Sequence, residues 1–325
     1  MRTTTKLTPA WPVTAVVLAG LVLASLLVGG YDLTPAGVFS DPAQAEVFWI
    51  SRVPRTLSLI FAAMAMTISG VIMQMITQNK FVEPTTAGTS QWAGLGVLGV
   101  LLVVPDAPPL AKMAVASLFA FVGTMIFLAI LRRVGVTGSV IVPLVGIMLG
   151  SVVGALGTFL AGRFNLLQAM SAWRSGGFSS IVRGFYEPLW AVLAIAVVAW
   201  FAADRFSVAG LGREVATNVG LDYNRTVVLG TTLVALSTGI TSVVVGFIPF
   251  LGLIVPNLIS MLRGDDLRAN LPLVAVVGAG LLLICDLVGR VVIAPMEIPA
   301  SVVMGIIGGI GFIVMVVSQR ERISA

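Results

Sequence analysis

The chain has 325 residues, 58% hydrophobic and only 10% charged, with a net charge of +5, no histidine and one cysteine. A soluble domain usually carries about 25% charged residues, so this composition excludes a soluble globular protein and points to a polytopic membrane protein. A single cysteine, Cys285, leaves no intrachain disulfide and no multi-cysteine metal site, and without histidine the commonest metal ligand and proton shuttle is missing, so redox, haem and zinc chemistry fall away.

Crossing a hydrocarbon core of ~30 Å takes about 20 helical residues. Runs apolar enough to do so fall near 12–29, 56–77, 85–104, 111–131, 138–161, 188–203, 226–245, 247–262, 272–289 and 299–317. The expectation is an all-α protein with ten transmembrane helices in one domain over residues 1–325. The first run resembles the nine after it and is expected to stay as a span rather than leave as a signal peptide. An even count puts both termini on one side. Alternation then sends Arg52, Arg55, Lys112, Arg163, Arg174, Arg183 and Arg290 to the other side, leaving twelve of the nineteen cations with the termini, which are therefore expected in the cytoplasm.

The first polar stretch, SRVPRT (Ser51–Thr56), sits at the outer mouth of the second span, where Pro54 suits a first helical turn. Its two arginines run against the positive-inside tendency. They either snorkel to headgroups or bind carboxylates of a partner or substrate with their planar forks, and Arg290 can join them. QNKFVEPTTAG (Gln78–Gly88) reads as a tight turn with a charged pair between spans two and three. Glycines in GALGTFLAG from Gly154 and GIIGGIGF from Gly305 allow close helix packing or line a wide path.

Residues 204–225 hold LGREVATNVG, in which Leu211, Val215 and Val219 recur at i, i+4 and i+8 on one stripe and Gly220 is placed to end a helix as its C′ residue. Arg213, Glu214, Thr217 and Asn218 fall on the opposite face. Such a helix can lie in the lipid interface, pack under the bundle or dock a cytoplasmic partner, and periodicity does not separate the three. The acids of GDD (Gly264–Asp266) sit beside Arg263 and Arg268 in a short turn, which argues against a metal-dependent enzyme. Asp286 stands four residues before Arg290, the spacing of an intrahelical pair. No ionisable group is placed near the midplane, which argues against an ion-coupled secondary carrier.

In order, RxPR, SGVIMQMITQNKFVEPTTAG, LGREVATNVGL, GFIPFLGLIVPNLISMLRGDD and DLVGRVVIAPMEIPASVVMGIIGGIGF, covering about Val47 to Val317, resemble the FecCD-type permeases of bacterial binding-protein-dependent ABC importers for ferric siderophores, haem or cobalamin. The resemblance implies the cobalamin-importer-type permease fold of ten helices and a chain that is no enzyme. ATP and Mg would serve a separate pair of ATPase subunits, and this chain would bind no cofactor or metal. It also implies a second permease subunit, an extracytoplasmic substrate-binding protein and no nucleic acid. By the same resemblance Leu211, Gly212, Arg213, Glu214, Val215, Val219, Gly220 and Leu221 form the helix that couples to the ATPase, and Arg52, Arg55 and Arg290 meet acidic residues of the binding protein. Gly146, Gly150, Gly154, Met304 and Gly308 are candidates for the translocation path. NKFVEP departs from the commoner NPLAxP and resembles a ferric-siderophore branch whose permease pairs with a paralogue. Cobalamin or haem import is the alternative within the family.

Overall fold

A computed structural model describes residues 11–31, 33–135, 140–294 and 296–324. Arg2 and Lys6, counted above for the charge asymmetry, lie outside the described residues. The elements used below are α1 (Trp11–Leu27), α2 (Pro42–Thr77), α3 (Thr89–Val103), α4 (Pro109–Val134), α5 (Ile141–Arg163), α6 (Leu167–Ser175), α7 (Ala191–Phe201), α8 (Ala203–Ala209), α9 (Arg213–Asn218), α10 (Tyr223–Val244), α11 (Leu251–Arg263), α12 (Leu267–Val291) and α13 (Ala300–Ser324). Five of them, α2, α4, α5, α10 and α12, are long and apolar enough to cross a membrane, and α7 with α8 forms a sixth segment bent by 59°. With the shorter apolar helices α1, α3, α11 and α13 they account, among the described residues, for the ten expected spans.

The hub is α2, which packs against α10, α11, α12 and α7. It begins earlier than the apolar run does, because a π-helical turn at Phe48–Arg52 carries the helix back to Pro42. Pro54 has no N–H to offer the carbonyl of Ile50, and that carbonyl instead accepts from the Arg183 amide at 2.9 Å. Against α11 the approach is close enough that a Cβ on Gly70 would lie 1.9 Å from the Gly252 carbonyl oxygen.

Two expectations need correction. The eighth span starts at Leu251 rather than 247 and has 13 residues, about 20 Å at ~1.5 Å per residue, so α11 alone is too short to cross. Pro256 inside it removes the α-helical partner of the Gly252 carbonyl, to which the Gln74 amide donates at 3.4 Å from α2. The stretch 78–88 is no exposed turn: Asn79, Phe81, Val82, Glu83, Thr85, Thr86 and Ala87 are all buried, and the third span begins only at Thr89.

Candidate functional site

At one end of the bundle the three predicted arginines come together. Arg55 donates from Nη2 to Asp286 at 2.8 Å and from Nη1 to Glu297 at 2.9 Å. Arg290 pairs with the same Asp286, one turn away on α12, as their spacing predicts, and donates to the carbonyls of Ser25 and Val28 at 2.8 Å each. Arg52 donates to Val28 O at 2.9 Å and Tyr31 O at 3.3 Å. The last turn of α1 offers carbonyls without helical partners and the negative end of its dipole, so two arginines settle there. The arginines are only 6%, 6% and 4% exposed. That corrects the picture of cations held out to a partner: in this conformation they clamp α1, α2, α12 and the 296–299 loop together. The cluster's more open member is Glu297, also bonded to Ser179; burial raises its carboxyl pKa, but the Ser179 hydroxyl and Arg55 outweigh that and hold it below the ordinary carboxylate value.

At the opposite end lies the 204–225 segment. It is fastened by Arg268 of α12, which pairs with Asp204 at 3.1 Å and lies over the Trp200 ring, and by Asp222, which caps α10 through the Arg225 amide at 3.0 Å. Helix α9 covers only Arg213–Asn218, shorter than the ten-residue reading, and Ala216 is its buried foot. Gly212 enters it at φ 103, and Leu211 precedes it. Gly220 has φ 85; its amide bonds to Thr217 O and that of Leu221 to Ala216 O, the paired bonds of a Schellman end with glycine at C′. Leu211, Val215 and Val219 are 66%, 45% and 66% exposed, so the helix does not pack its apolar stripe under the bundle. Arg213, Glu214, Thr217 and Asn218 are exposed as well.

Beside this segment Lys80 bonds to Ser260 at 3.1 Å and pairs with Asp265 at 3.2 Å, while Asp266 caps α12 by accepting from the Ala269 amide at 3.1 Å. The GDD acids thus act as a latch and a cap. Lys80 does not pair with Glu83, contrary to the charged-pair reading. Glu83 is fully buried, accepts from the Phe250 amide at 3.2 Å and bonds the Thr85 hydroxyl. Burial pushes its carboxyl up to about 8 against the opposing pull of the Phe250, Thr85 and Gly252 amides. Phe250, held at φ 60, stacks on Phe312 with centroids 6.5 Å apart, and Phe312 meets Phe81 edge-on at 5.8 Å. Sequence reasoning took Glu83 only as half of a charged pair; its place as the turn's one acid, directly between Val82 and Pro84, is the signal it left.

The candidate path residues separate. Gly146 is buried under the Thr86 carbonyl, which a Cβ would approach to 2.2 Å, and Met304 is buried with its sulfur 3.9 Å from Cys285 Sγ; both are packing positions. Gly308 lies beneath Phe250. Gly150 and Gly154 border an open polar cavity on α5.

Comparison with known proteins agrees with this architecture. The chain is 44% identical over 306 residues to the petrobactin import system permease protein FatD of Bacillus anthracis, covering 94% of this chain and 90% of the relative. It is 40% identical over 276 residues to the ferric-anguibactin transport system permease protein FatD of Vibrio anguillarum, covering 84% and 88%. A solved inward-facing metal-chelate type ABC transporter superposes with a TM-score of 0.78 at 24% identity, covering 94% of this chain and 97% of that one, which shows the shared fold. The profile of the FecCD transport family matches residues 17–318, from α1 into α13. With that match running through the arginine clamp, the 204–225 segment and the paired glycines of α2 and α11, the chain belongs to the FecCD transport family.

Proposed function

We propose that the chain is the membrane permease subunit of an ATP-driven importer that carries a ferric siderophore across the cytoplasmic membrane by alternating access. The observation that carries this reading is the stripe of Leu211, Val215 and Val219, exposed on and around the short helix α9, whose neighbour α8 is fastened to α12 through Asp204 and Arg268. An apolar patch held out on a rigid mount marks a docking surface, and here the occupant is a cleft of an ATPase subunit, which hydrolyses ATP with Mg and returns the motion through α8 and α12. The 204–225 end therefore faces the cytoplasm, as do both termini. The named relatives import petrobactin and ferric anguibactin, which supports an iron chelate as cargo.

The remaining partners follow from the surfaces. Most of α5 is left uncovered by the rest of the chain, and its bare side carries Ser151 and Thr158 near Arg174. Polar groups on a span are kept from lipid by protein, so a second permease subunit covers this face, and the NKFVEP sequence at 79–84 supports a paralogue rather than another copy. The extracytoplasmic binding protein docks at the other end, on the rim that Arg52, Arg55 and Arg290 hold in shape.

Val215→Asp together with Val219→Asp tests the coupling. In the complex reconstituted with its binding protein, transport is expected to fall about tenfold or more, the loss typical of a disrupted apolar anchor. The melting temperature should hold, since neither side chain is buried. Unchanged transport would remove the coupling role, and loss of lipid contact by the 204–225 segment, with the ATPase still bound, would assign the stripe to lipid.

A further inference from the structure

Arg174 reads from the sequence as a loop cation beyond the fifth span. The structure places it elsewhere. Helix α6 folds back along α5, with Met170 against Gly157, and Arg174 donates from Nη2 to the Gly154 carbonyl at 3.3 Å. Gly154 lies nine residues before the end of α5 at Arg163, about 13 Å into the helix at ~1.5 Å per residue, close to half the ~30 Å hydrocarbon thickness. The fold-back is anchored by Trp173, whose indole N–H donates to Ser242 O at 2.7 Å and whose ring fills the space a Cβ on Gly94 would need.

The guanidinium enters a cavity of about 420 Å³ bordered by Thr85, Gln91, Ser151, Gly154 and Thr158, and a second of about 260 Å³ that shares Gln91, Gly154 and Arg174 and reaches Phe247. Both sizes are of the order of ligand sites, ~300–1,000 Å³. The hydroxyls of Ser151 and Thr158 donate to their own helix, to Ile147 O and Gly154 O at 2.8 Å each, which leaves their oxygens facing outward as acceptors. Among the described residues Arg174 has that one hydrogen bond and no carboxylate within ion-pair distance, although guanidinium carries five donors. Gln91 Oε1 is buried without a hydrogen-bond partner. A cation at this depth is costly unless something pairs with it, and such residues mark solute paths. The backbone around it is also interrupted, at Gly176 beside Phe247 and at the start of α11, as in substrate sites built from broken helices.

We infer that Arg174, with Gln91, Ser151 and Thr158, forms a mid-membrane way station for an anionic ferric chelate, half of the site lying on this chain and the other half on the second permease. The chelate's carboxylate or catecholate oxygens accept the arginine fork as the solute passes, and the single charge on a shallow wall holds it without trapping it. This rests on the import reading above and assigns the cargo's charge.

The test is ATP-driven uptake of radioiron-loaded petrobactin into vesicles containing the whole complex, with saturating binding protein, for Arg174→Lys, Arg174→Gln and Arg174→Glu. The expected order is graded by charge: Lys within about threefold of wild type, because it keeps the cation but not the fork; Gln down about tenfold; and Glu lower still. Melting temperature and co-purification of the second permease are measured alongside. Gln and Glu transporting equally, or Gln at the wild-type rate, would overturn the inference. Loss of the second permease or of thermal stability in the Gln variant would also overturn it, assigning the arginine to subunit contact or folding. A wild-type complex that takes up neither ferric petrobactin nor any of a set of catecholate, hydroxamate and carboxylate ferric siderophores would instead overturn the import reading itself.

Discussion

Glu83 shows how a single side chain can tie two distant motifs together. Its carboxyl lies in the buried loop after α2 and binds the Phe250 amide from 167 residues away, holding that phenylalanine in a left-handed conformation over Gly308. Among the described residues it forms no ion pair, and Lys80, three residues before it, is turned to Asp265. With the folded-state value raised from 4.5 to about 8, the folded chain keeps a proton that the unfolded chain releases. The stability this contributes is complete below pH 4.5, falls as pH rises between the two values and is gone above about 8. Glu83→Gln keeps the amide acceptor and removes the titration. The variant is expected to melt at about the wild-type temperature at pH 5 and several degrees higher at pH 8, a gain on the order of a few kcal/mol. Parallel pH profiles for the two proteins, measured by detergent thermal melts, would show that Glu83 is ionised in the fold.

At the scale of the element, the end of α9 depends on one backbone conformation. Gly220 at φ 85 has open space where a Cβ would stand, so Gly220→Ala meets no clash and costs only the left-handed strain, ~1–2 kcal/mol. Hydrogen exchange at the Gly220 and Leu221 amides should speed by about five- to thirtyfold, with Gly220→Asn milder because asparagine tolerates this region. Unchanged exchange would mean that the Schellman bonds do not limit the helix end. This end was legible in sequence because a C′ glycine after an i, i+4, i+8 apolar series is a local pattern. Ten spans were legible for the same reason, each being a contiguous apolar run. The start of α11 was not, since Gly246–Phe250 is as apolar as the helix it precedes and only the contacts with Glu83 and Trp173 decide where the helix begins. The fold-back of α6 was hidden likewise: its depth is set by Trp173 meeting Gly94 and Ser242, a contact no nearby residue announces. For the arginine clamp the residues were legible but their burial was not, because the acids that neutralise Arg55 lie 231 and 242 positions away.

Across the whole molecule the buried and bare faces are unevenly distributed. α2 is enclosed by its neighbours, whereas α5 touches mainly α3 and presents Leu144, Ile147, Met148, Val152 and Leu156 outward. α1 exposes Val13, Val16, Val17 and Leu23 in the same way. Lipid is as apolar as either surface, so hydrophobicity alone cannot tell a lipid face from a subunit face. Polarity can: α5 carries Ser151 and Thr158 on its bare side and has Arg174 laid against it, whereas the exposed large side chains of α1 are all aliphatic. The assembly is therefore expected to close on α5 and leave α1 to lipid. A photo-crosslinking amino acid placed at Ser151 should capture a second permease of different mass in the membrane, and the same group at Val17 should capture no protein. Capture of an identical chain at 151 would make the permease a homodimer and keep the interface. No capture from 151 would leave α5 facing lipid, and the polar cavity beside Arg174 would then have to be closed by α6 alone; equal capture from both positions would deny that polarity separates the two faces.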